Sequence, residues 1–237
     1  MEKLTEIKYQ RPQVELLEQN FAEKLAEFKN AGGFASAKVV LTKLNQMLTD
    51  TMSMVMLASY RHTIDIHDEF YDAENTYWDE NFPRVTALQT QLAQAILASP
   101  FKVDLVADGL VPKPYLLMAE NQIATFSEKL IPEFQRESSL ASQYDNLIAS
   151  AQVEFAGEKL TLPQLAKHFS DLDRDVRKRA QEAHTQWFVD HEAELDEIYD
   201  QLVKVRTKIA HELGFANYTE MSLKVMNRFG YDQPMIR

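Results

Sequence analysis

Histidine and acidic side chains are the groups in this sequence that could carry out metal or acid-base chemistry, and their spacing tests whether they do. The chain has six histidines and no cysteine, so a metal site would need imidazole and carboxylate ligands. A helical zinc site of the His-Glu-x-x-His type needs two histidines four residues apart on one face. In His191-Glu192, the residue four positions after the histidine is Leu195. In His211-Glu212, it is Phe215. Neither pair can form that site, and we expect ordinary helical roles for both.

Other arrangements fail the same kind of test. His184 and His191 share a predicted helix face, but seven residues separate them by about 10.5 Å along the axis. That is too far for one metal ion with bonds of ~2 Å. No histidine follows a glutamate by three residues, as a di-iron bundle requires, and no nucleophile elbow, phosphate-binding loop or dinucleotide fingerprint occurs. The sequence therefore predicts no catalytic and no metal-ligating residue in this chain.

Three local clusters remain. The first is a group of four acidic residues with two histidines nearby, namely Asp65, Asp68, Glu69, Asp72, His62 and His67. On one helix face these acids could hold a hard cation or recognise a basic partner, but a solvated face is favoured. The second is a basic cluster, interpreted as ion pairs at a helix start rather than an anion site, consisting of Arg174, Arg177, Lys178 and Arg179. The third is the methionine-rich run 47–57, interpreted as core filling in preference to a methionine-lined ligand groove.

Composition narrows the class of protein. A formal charge of −11 argues against a nucleic-acid partner, because phosphate binding needs clustered Lys and Arg. The absence of cysteine excludes disulfides and favours the cytoplasm. The first twenty residues lack the features of a secretory signal, and no apolar run is long enough to span a bilayer, so no membrane partner is expected. A hydrophobic content of 45% suffices for a core.

The periodicity predicts helices through most of the chain. A stripe at spacings of three and four, from Val14 to Phe28, indicates an amphipathic helix that ends at Gly32-Gly33. Ser36 is the expected N-cap of a second helix, which should continue helically through the acidic cluster until Pro83 kinks or restarts it. Ser99-Pro100 should end that segment. A helical hairpin is then expected, with helices at about 115–137 and 139–149.

One stretch breaks this helical rhythm. The alternation from Gln152 to Leu162, with a turn at 156–158, predicts a small β-hairpin, after which Thr161 should cap the next helix. One long helix is then expected from Asp173 to about Leu213, ended by Gly214. Asn217 should cap a final helix, with Glu220 in the capping-box position. We divide the chain into a helical-hairpin region at 1–150 and a β-hairpin plus long-helix region at 151–237.

Several motifs resemble the amino-terminal half of oligoendopeptidase F-like enzymes, which belong with thimet oligopeptidase among the zinc metallopeptidases. The motifs that carry the resemblance are Phe155-Ala156-Gly157, Leu162-Pro163-Gln164-Leu165, Asp173 to Arg177, Ile198-Tyr199-Asp200, Arg206, Ala210 to Tyr218 and Asn227 to Tyr231. The stretch from Met47 to Pro83, with Arg61, Asp65, Asp68 and Trp78, is similar to the amino-terminal helices of that family.

The resemblance implies an all-α, mainly helical fold of long antiparallel helices, forming one incomplete domain, the amino-terminal lobe, of a larger peptidase. In such enzymes a His-Glu-x-x-His helix and a later Glu hold one zinc ion, and short peptides enter a deep channel. That zinc helix has no counterpart in this chain, so no catalytic or metal residue is carried over and the substrate-binding residues stay unassigned. We expect a channel-forming half of a zinc-dependent oligopeptidase that is inactive alone.

Two histories fit this expectation, a piece of the longer enzyme or a naturally short relative, and the first is favoured. Its partners would be short peptides and the remainder of the peptidase chain, with self-association through exposed apolar surface as a further expectation. The competing interpretation is a non-enzymatic helical interaction module, since a helical bundle hosts many functions. Peptide-length preference, cleavage preference, physiological substrate and oligomeric state do not follow from the sequence.

Overall fold

The computed structural model describes residues 6–236. The predicted divisions 1–150 and 151–237 include residues 1–5 and 237, which lie outside the described range. The described part forms eleven α-helices and one two-stranded sheet, which confirms the mainly helical fold. The elements are α1 (Val14–Lys29), α2 (Phe34–Ile64), α3 (Glu69–Ala98), α4 (Lys102–Ala107), α5 (Lys113–Ala124), α6 (Ile131–Ala149), β1 (Val153–Phe155), β2 (Glu158–Leu160), α7 (Leu162–Ala166), α8 (Arg174–Asp190), α9 (Glu192–Glu212), α10 (Tyr218–Val225) and α11 (Gln233–Ile236).

The predicted β-hairpin is confirmed. Strands β1 and β2 pair antiparallel, with Val153 opposite Leu160. The turn between them places Ala156 at φ 53° and Gly157 at φ 86°. Both values lie in the left-handed region, which glycine adopts without strain. The buried side chain of Val153 faces the core, so the hairpin packs against the helices that follow it.

Three of the predicted helix caps are also confirmed, at Thr161, Gly214 and Asn217. Thr161 accepts a hydrogen bond from the Gln164 N–H, and the Gln164 side chain accepts from the Thr161 N–H at 2.8 Å. Gly214 ends α9 at φ 85°. Asn217 caps α10 by accepting from the Glu220 N–H at 2.9 Å. The carboxylate of Glu220 reaches back to the Ala216 N–H, one residue before the cap.

Aspartate side chains break the helix that was expected to continue from α2 into α3. The Oδ1 atom of Asp65 accepts the His67 N–H at 3.0 Å. That of Asp68 accepts the N–H groups of Phe70 and Tyr71, which makes it the N-cap of α3. Short acidic side chains compete with the helical ladder by bonding nearby backbone groups. The acids therefore flank a turn, and the prediction that they share one helix face is wrong.

Pro83 does not restart the helix. Helix α3 runs through it from Glu69 to Ala98. The proline removes one backbone donor, but its neighbours on both sides, Trp78 and Val85 among them, are buried in one cluster. Packing of the two halves on the same core maintains the helix across the missing hydrogen bond. The predicted end at Ser99 is confirmed, because Ser99 is the C-cap.

Two helix starts differ from the expectation. Helix α2 begins at Phe34, and its N-cap is Gly33 without a side-chain hydrogen bond. The Ser36 hydroxyl, expected to cap, donates instead to the Gly33 carbonyl at 2.8 Å. The helix predicted at 115–137 is interrupted at 125–127, and α6 begins at Ile131 with Pro132 in its first turn. Proline is well accommodated there because its missing N–H has no helical partner in that turn.

The long helix expected from Asp173 to Leu213 is two helices that meet at His191. This residue has φ −109° and ψ 12°, outside the helical range. Its ring stacks on Trp187 with centroids 4.2 Å apart, and its Nδ1 lies 2.8 Å from the Trp187 carbonyl oxygen. The ring's attachment to the preceding turn coincides with the break between α8 and α9.

Helix α6 packs against both α3 and α9, and so connects the earlier helices of the chain with the later ones. The largest core cluster lies among α1 to α4 and includes Phe21, Leu44 and Leu92. A second cluster combines Leu140 of α6 with Ile209 of α9. Side chains from both sides of residue 150 therefore share a core, and the division at that position remains a prediction.

Candidate functional site

An apolar groove lies between helices α2, α3, α5, α6 and α10. Its volume is about 600 Å³, within the range typical of sites that hold small ligands. We call it the apolar groove, and its bulky lining residues include Phe82, Tyr115, Met118, Phe126, Phe134 and Tyr218. Aromatic and methionine side chains offer large contact areas and adapt to varied partners.

The break between α5 and α6 shapes this groove. Phe126, in that break, is buried and stacks on Phe134 of α6, with ring centroids 5.2 Å apart and an interplanar angle of 14°. On the other wall, the Asn121 side chain donates to the Asn227 side-chain oxygen at 3.2 Å. This bond ties α5 to the turn that follows α10. The groove is thus held by packing on one side and by an amide pair on the other.

Charge within the apolar groove is sparse. Glu137 accepts from the Arg206 Nε–H at 2.7 Å, so its charge is balanced. The Arg206 guanidinium also lies 5.4 Å from the centre of the Tyr218 ring. Burial raises the pKa of Tyr218, and the nearby Glu137 adds to the effect. The remaining charged side chain of the lining, Lys224, makes no ion pair with residues 6–236.

A methionine face of α2 extends the groove. Met52, Ser53 and Met56 line a second cavity of about 650 Å³ that shares Asn45, Leu48 and Gln89 with the first. Met56 is 41% exposed. Met47 packs against the core, as the sequence predicted. The preference for core over a methionine-lined groove is therefore right for Met47 and wrong for Met56, because the two side chains lie on different faces of the helix.

A polar cleft of about 540 Å³ lies further along the contact between α3 and α6. Here Asn75 donates to the Ser142 hydroxyl at 3.1 Å, and Gln135 donates to the Glu80 carbonyl at 2.6 Å. Burial raises the pKa of Asp79 above its usual range. The side-chain oxygen of Asn146 is buried and has no hydrogen-bond partner in the described protein. The same helix pair thus presents polar groups at one end and apolar groups at the other.

A buried carboxylate, missed by the sequence prediction, fastens the segment before α1 to α3. Glu74 is 2% exposed and accepts hydrogen bonds from the Tyr9 hydroxyl at 2.5 Å and from the Arg11 guanidinium. Trp78 donates its indole N–H to the Tyr9 oxygen at 3.1 Å. We call this set the Glu74 anchor. Its sequence signal is a glutamate on the apolar face of α3, four residues before a buried tryptophan.

The Glu74 anchor also perturbs the acidity of its members. Burial alone would raise the pKa of Glu74, but the hydrogen bonds from Arg11 and Tyr9 outweigh it and lower the pKa below its ordinary value near 4.5. Burial and the bond to Glu74 raise the pKa of Tyr9 far above its usual range. The Arg11 guanidinium lies 4.3 Å from the centre of the Tyr77 ring. Every side chain of the set therefore has a hydrogen-bond partner.

The acidic cluster predicted from sequence is dispersed. Asp65 and Asp68 bond to backbone N–H groups of the turn. His62 is buried, and its Nε2 lies 3.4 Å from the Asp72 carboxylate without hydrogen-bond geometry. Glu69 and His67 are exposed. No three His, Asp or Glu side chains within residues 6–236 are grouped so that they could hold a metal ion.

Within residues 6–236, one member of the basic cluster forms an ion pair. Lys178 lies 3.7 Å from Glu182. Arg177 instead donates to the carbonyls of Asp171 and Leu172, at 2.6 and 3.1 Å, and Arg179 donates to the Asp175 carbonyl at 3.4 Å. These guanidinium groups bind backbone oxygens around the start of α8. The interpretation as ion pairs is therefore right for Lys178 and wrong for Arg174, Arg177 and Arg179, none of which forms an ion pair within residues 6–236.

The histidines that failed the spacing tests have structural contacts. The His184 ring packs between Phe169 and Phe188, with centroids 5.3 and 5.1 Å away. His211 Nε2 lies 3.2 Å from the Ala216 carbonyl oxygen, at the end of α9. His191 stands at the helix break instead of within a continuous helix, as described above. None of the described helices is long and apolar enough to cross a membrane.

Comparison with known proteins gives the chain its family. The model of the Peptidase M3 N-terminal domain matches residues 4–126, more than half of the chain. A solved structure provisionally named oligoendopeptidase F is 38% identical over 100% of this chain, with a TM-score of 0.95. A provisionally named oligoendopeptidase F from Bacillus anthracis str. Ames is 38% identical over 98%, with a TM-score of 0.93. No curated protein matches.

A third solved structure, PZ peptidase A with an inhibitor, is 39% identical over 99% of this chain, with a TM-score of 0.94. The chain spans 41 to 42% of the length of these three proteins. Identity at this level over nearly every residue, together with the family match, confirms the resemblance inferred from the motifs. The chain belongs to the M3 peptidase family and corresponds to its amino-terminal, helical part.

Proposed function

We propose that this chain is the amino-terminal, channel-forming part of a zinc-dependent oligopeptidase that hydrolyses short peptides. The observation that carries the proposal is the match of the chain, over 98 to 100% of its residues, to about two fifths of each solved peptidase. The helices of this part would form a wall of the substrate channel and help to close it, a gating role distinct from the chemistry.

The zinc ion would be held by residues of the parent protein that have no counterpart in this chain. The described residues do not fit a zinc site, because they contain no group of three suitable ligands, and we derive no chemical step on a metal from them. When bound, zinc activates water and polarises the scissile carbonyl. The chain alone is therefore proposed to be inactive, with the rest of the peptidase as its partner and the cytoplasm as its location.

Peptide turnover tests this proposal. The purified chain is incubated with a quenched fluorescent peptide and added zinc, and a full-length oligoendopeptidase F serves as the positive control. We expect no cleavage above buffer by the chain alone. Robust turnover that a chelator abolishes would refute the inactivity. A stop codon directly after Arg237 in the gene would favour the interaction module, whereas a downstream His-Glu-x-x-His helix would support the peptidase.

Self-association through exposed apolar surface belongs to the same proposal. Large apolar side chains are exposed near the end of the described chain, namely Val225, Met226, Phe229, Tyr231, Met235 and Ile236. Exposed apolar surface of this kind favours association when the side chains lie together. We expect light scattering to show a concentration-dependent rise in mass that Met235→Asp weakens and Val103→Asp, also at an exposed site, leaves unchanged. A monomer at every concentration would contradict the expectation.

A further inference from the structure

We propose that the apolar groove binds short peptides by a bulky apolar side chain near their carboxyl end, with the terminal carboxylate paired to Lys224. This inference rests on the proposed function, because it names the peptides that this wall would select. It assigns roles to residues of the described chain alone, so it can be tested by binding without turnover.

The first step concerns shape and chemistry. A cavity of about 600 Å³ can enclose one or two large side chains of a peptide while leaving its backbone at the mouth. Phe126 and Phe134 of the lining are stacked, and Met118 of the lining is 43% exposed. Stacked aromatic rings give a rigid contact surface, and methionine adapts to side chains of different shape. The site therefore favours aromatic and branched aliphatic residues.

The second step concerns the peptide backbone. Asn45 and Gln89 line the groove, and neither side-chain amide bonds to another group within residues 6–236. Each carries two donors and one acceptor, the complement of a peptide's N–H and C=O groups. Gln122, by contrast, already donates to the Thr90 hydroxyl at 3.1 Å. Two unpaired amides beside an apolar cavity suit an extended peptide better than a wholly apolar ligand.

The third step concerns charge complementarity. The protein carries a formal charge of −11, so its net charge repels a carboxylate at long range. Within the groove, Glu137 is balanced by Arg206, which leaves Lys224 as the unpaired charge of the described lining. Its three ammonium donors can bind a carboxylate as charge-assisted hydrogen bonds. The groove therefore presents one cation at the edge of an apolar cavity, the complement of a peptide's carboxyl end.

Calorimetric titration of two probes tests the proposal, namely N-acetyl-Gly-Leu-Phe with a free carboxylate and the same peptide as its carboxamide. We expect the free acid to bind about tenfold more tightly, as one charge-assisted hydrogen bond would give. Lys224→Met should remove this preference. Lys43→Met, at an exposed position of α2 outside the groove, is the matched control and should keep it.

A second pair of variants tests the apolar step. Met118→Asp places a charge in the groove and should weaken both probes at least tenfold, whereas Leu117→Asp, exposed on the same helix outside the lining, should not. Equal affinity for acid and amide, or a preference that survives Lys224→Met, would overturn the proposal. So would a dimer of the wild type that Met118→Asp dissolves, because a second copy would then occupy the groove. Turnover by the chain alone would refute its proposed inactivity without altering these affinities.

Discussion

The Glu74 anchor and the apolar groove are both built on α3, and they differ in how fully their groups are partnered. In the anchor, a carboxylate that is 2% exposed accepts hydrogen bonds from Tyr9 and Arg11. In the groove, Phe82 and Met118 face a cavity of about 600 Å³, and Lys224 has no ion-pair partner in the described chain.

This difference separates stability from recognition. A partnered buried charge is costly to disturb, because removing one member leaves the others without their bonds. Unfilled apolar surface contributes little to folding but is available to a ligand. Substitutions in the anchor should therefore change the free energy of unfolding and leave peptide binding intact, whereas substitutions in the groove should do the reverse.

The largest expected effect is at the anchor. Glu74→Gln keeps the size of the side chain but removes the charge that Arg11 and Tyr9 bind, and should lower the free energy of unfolding by about 2 kcal/mol. Arg11 is 41% exposed, so water can solvate it, and the loss should stay below the ~3–5 kcal/mol of a fully buried pair. Urea unfolding measures it.

The matched control for this substitution is Glu120→Gln. The side chain of Glu120 is exposed on α5 and makes no hydrogen bond or ion pair within residues 6–236, so the free energy of unfolding of Glu120→Gln should stay within about 0.5 kcal/mol of the wild type. Equal stability of the two variants would show that the anchor does not hold the segment before α1. A loss of peptide binding in a folded Glu74→Gln protein would show that the anchor also contributes to binding, contrary to the proposed division of roles.

The pH dependence of the anchor is the next largest effect. The folded protein lowers the pKa of Glu74 below its ordinary value near 4.5, so its carboxylate stabilises the fold above that value. This contribution is lost as the pH falls through the folded pKa. The stability difference between wild type and Glu74→Gln should therefore shrink from pH 7 to about pH 3, as measured by unfolding at each pH. A constant difference would contradict the assignment.

The smallest expected effect is at the groove. Met118→Asp and Leu117→Asp place the same residue at exposed, adjacent positions of α5, so their helix-propensity costs are equal. We expect their free energies of unfolding to agree within about 0.5 kcal/mol. A much larger loss for Met118→Asp would mean that the groove is part of the stabilising core, and the contrast with the anchor would fail.

Local signals explain what could be predicted from sequence. Thr161, Gly214 and Asn217 act on backbone groups within a few residues, and all three caps are confirmed. The β-hairpin depends on a turn of adjacent residues and is confirmed for the same reason. The breaks at 65–68 and 125–127 were missed. At the first, aspartate side chains compete with the helical ladder, and periodicity does not register such competition.

The candidate site was unpredictable for another reason. The Glu74 anchor joins residues more than sixty positions apart, and the groove gathers side chains from five helices. No spacing rule links Lys224 to Phe82 before the helices have packed. The spacing tests predicted that the histidines form no helical zinc site. In the structure, His184 packs on an aromatic ring and His211 contacts a backbone carbonyl. Sequence motifs were therefore enough to infer the family. The groove could not be inferred from them, because it forms only when the helices pack together.

The most direct test of the central claim is a chimera with a solved relative. The part of the provisionally named oligoendopeptidase F from Bacillus anthracis str. Ames that matches this chain, about two fifths of that protein, is replaced by this chain, and cleavage of a quenched fluorescent peptide is measured. The account predicts chelator-sensitive turnover by the chimera and none by this chain alone. A folded chimera without turnover, or turnover by the chain alone, would contradict it.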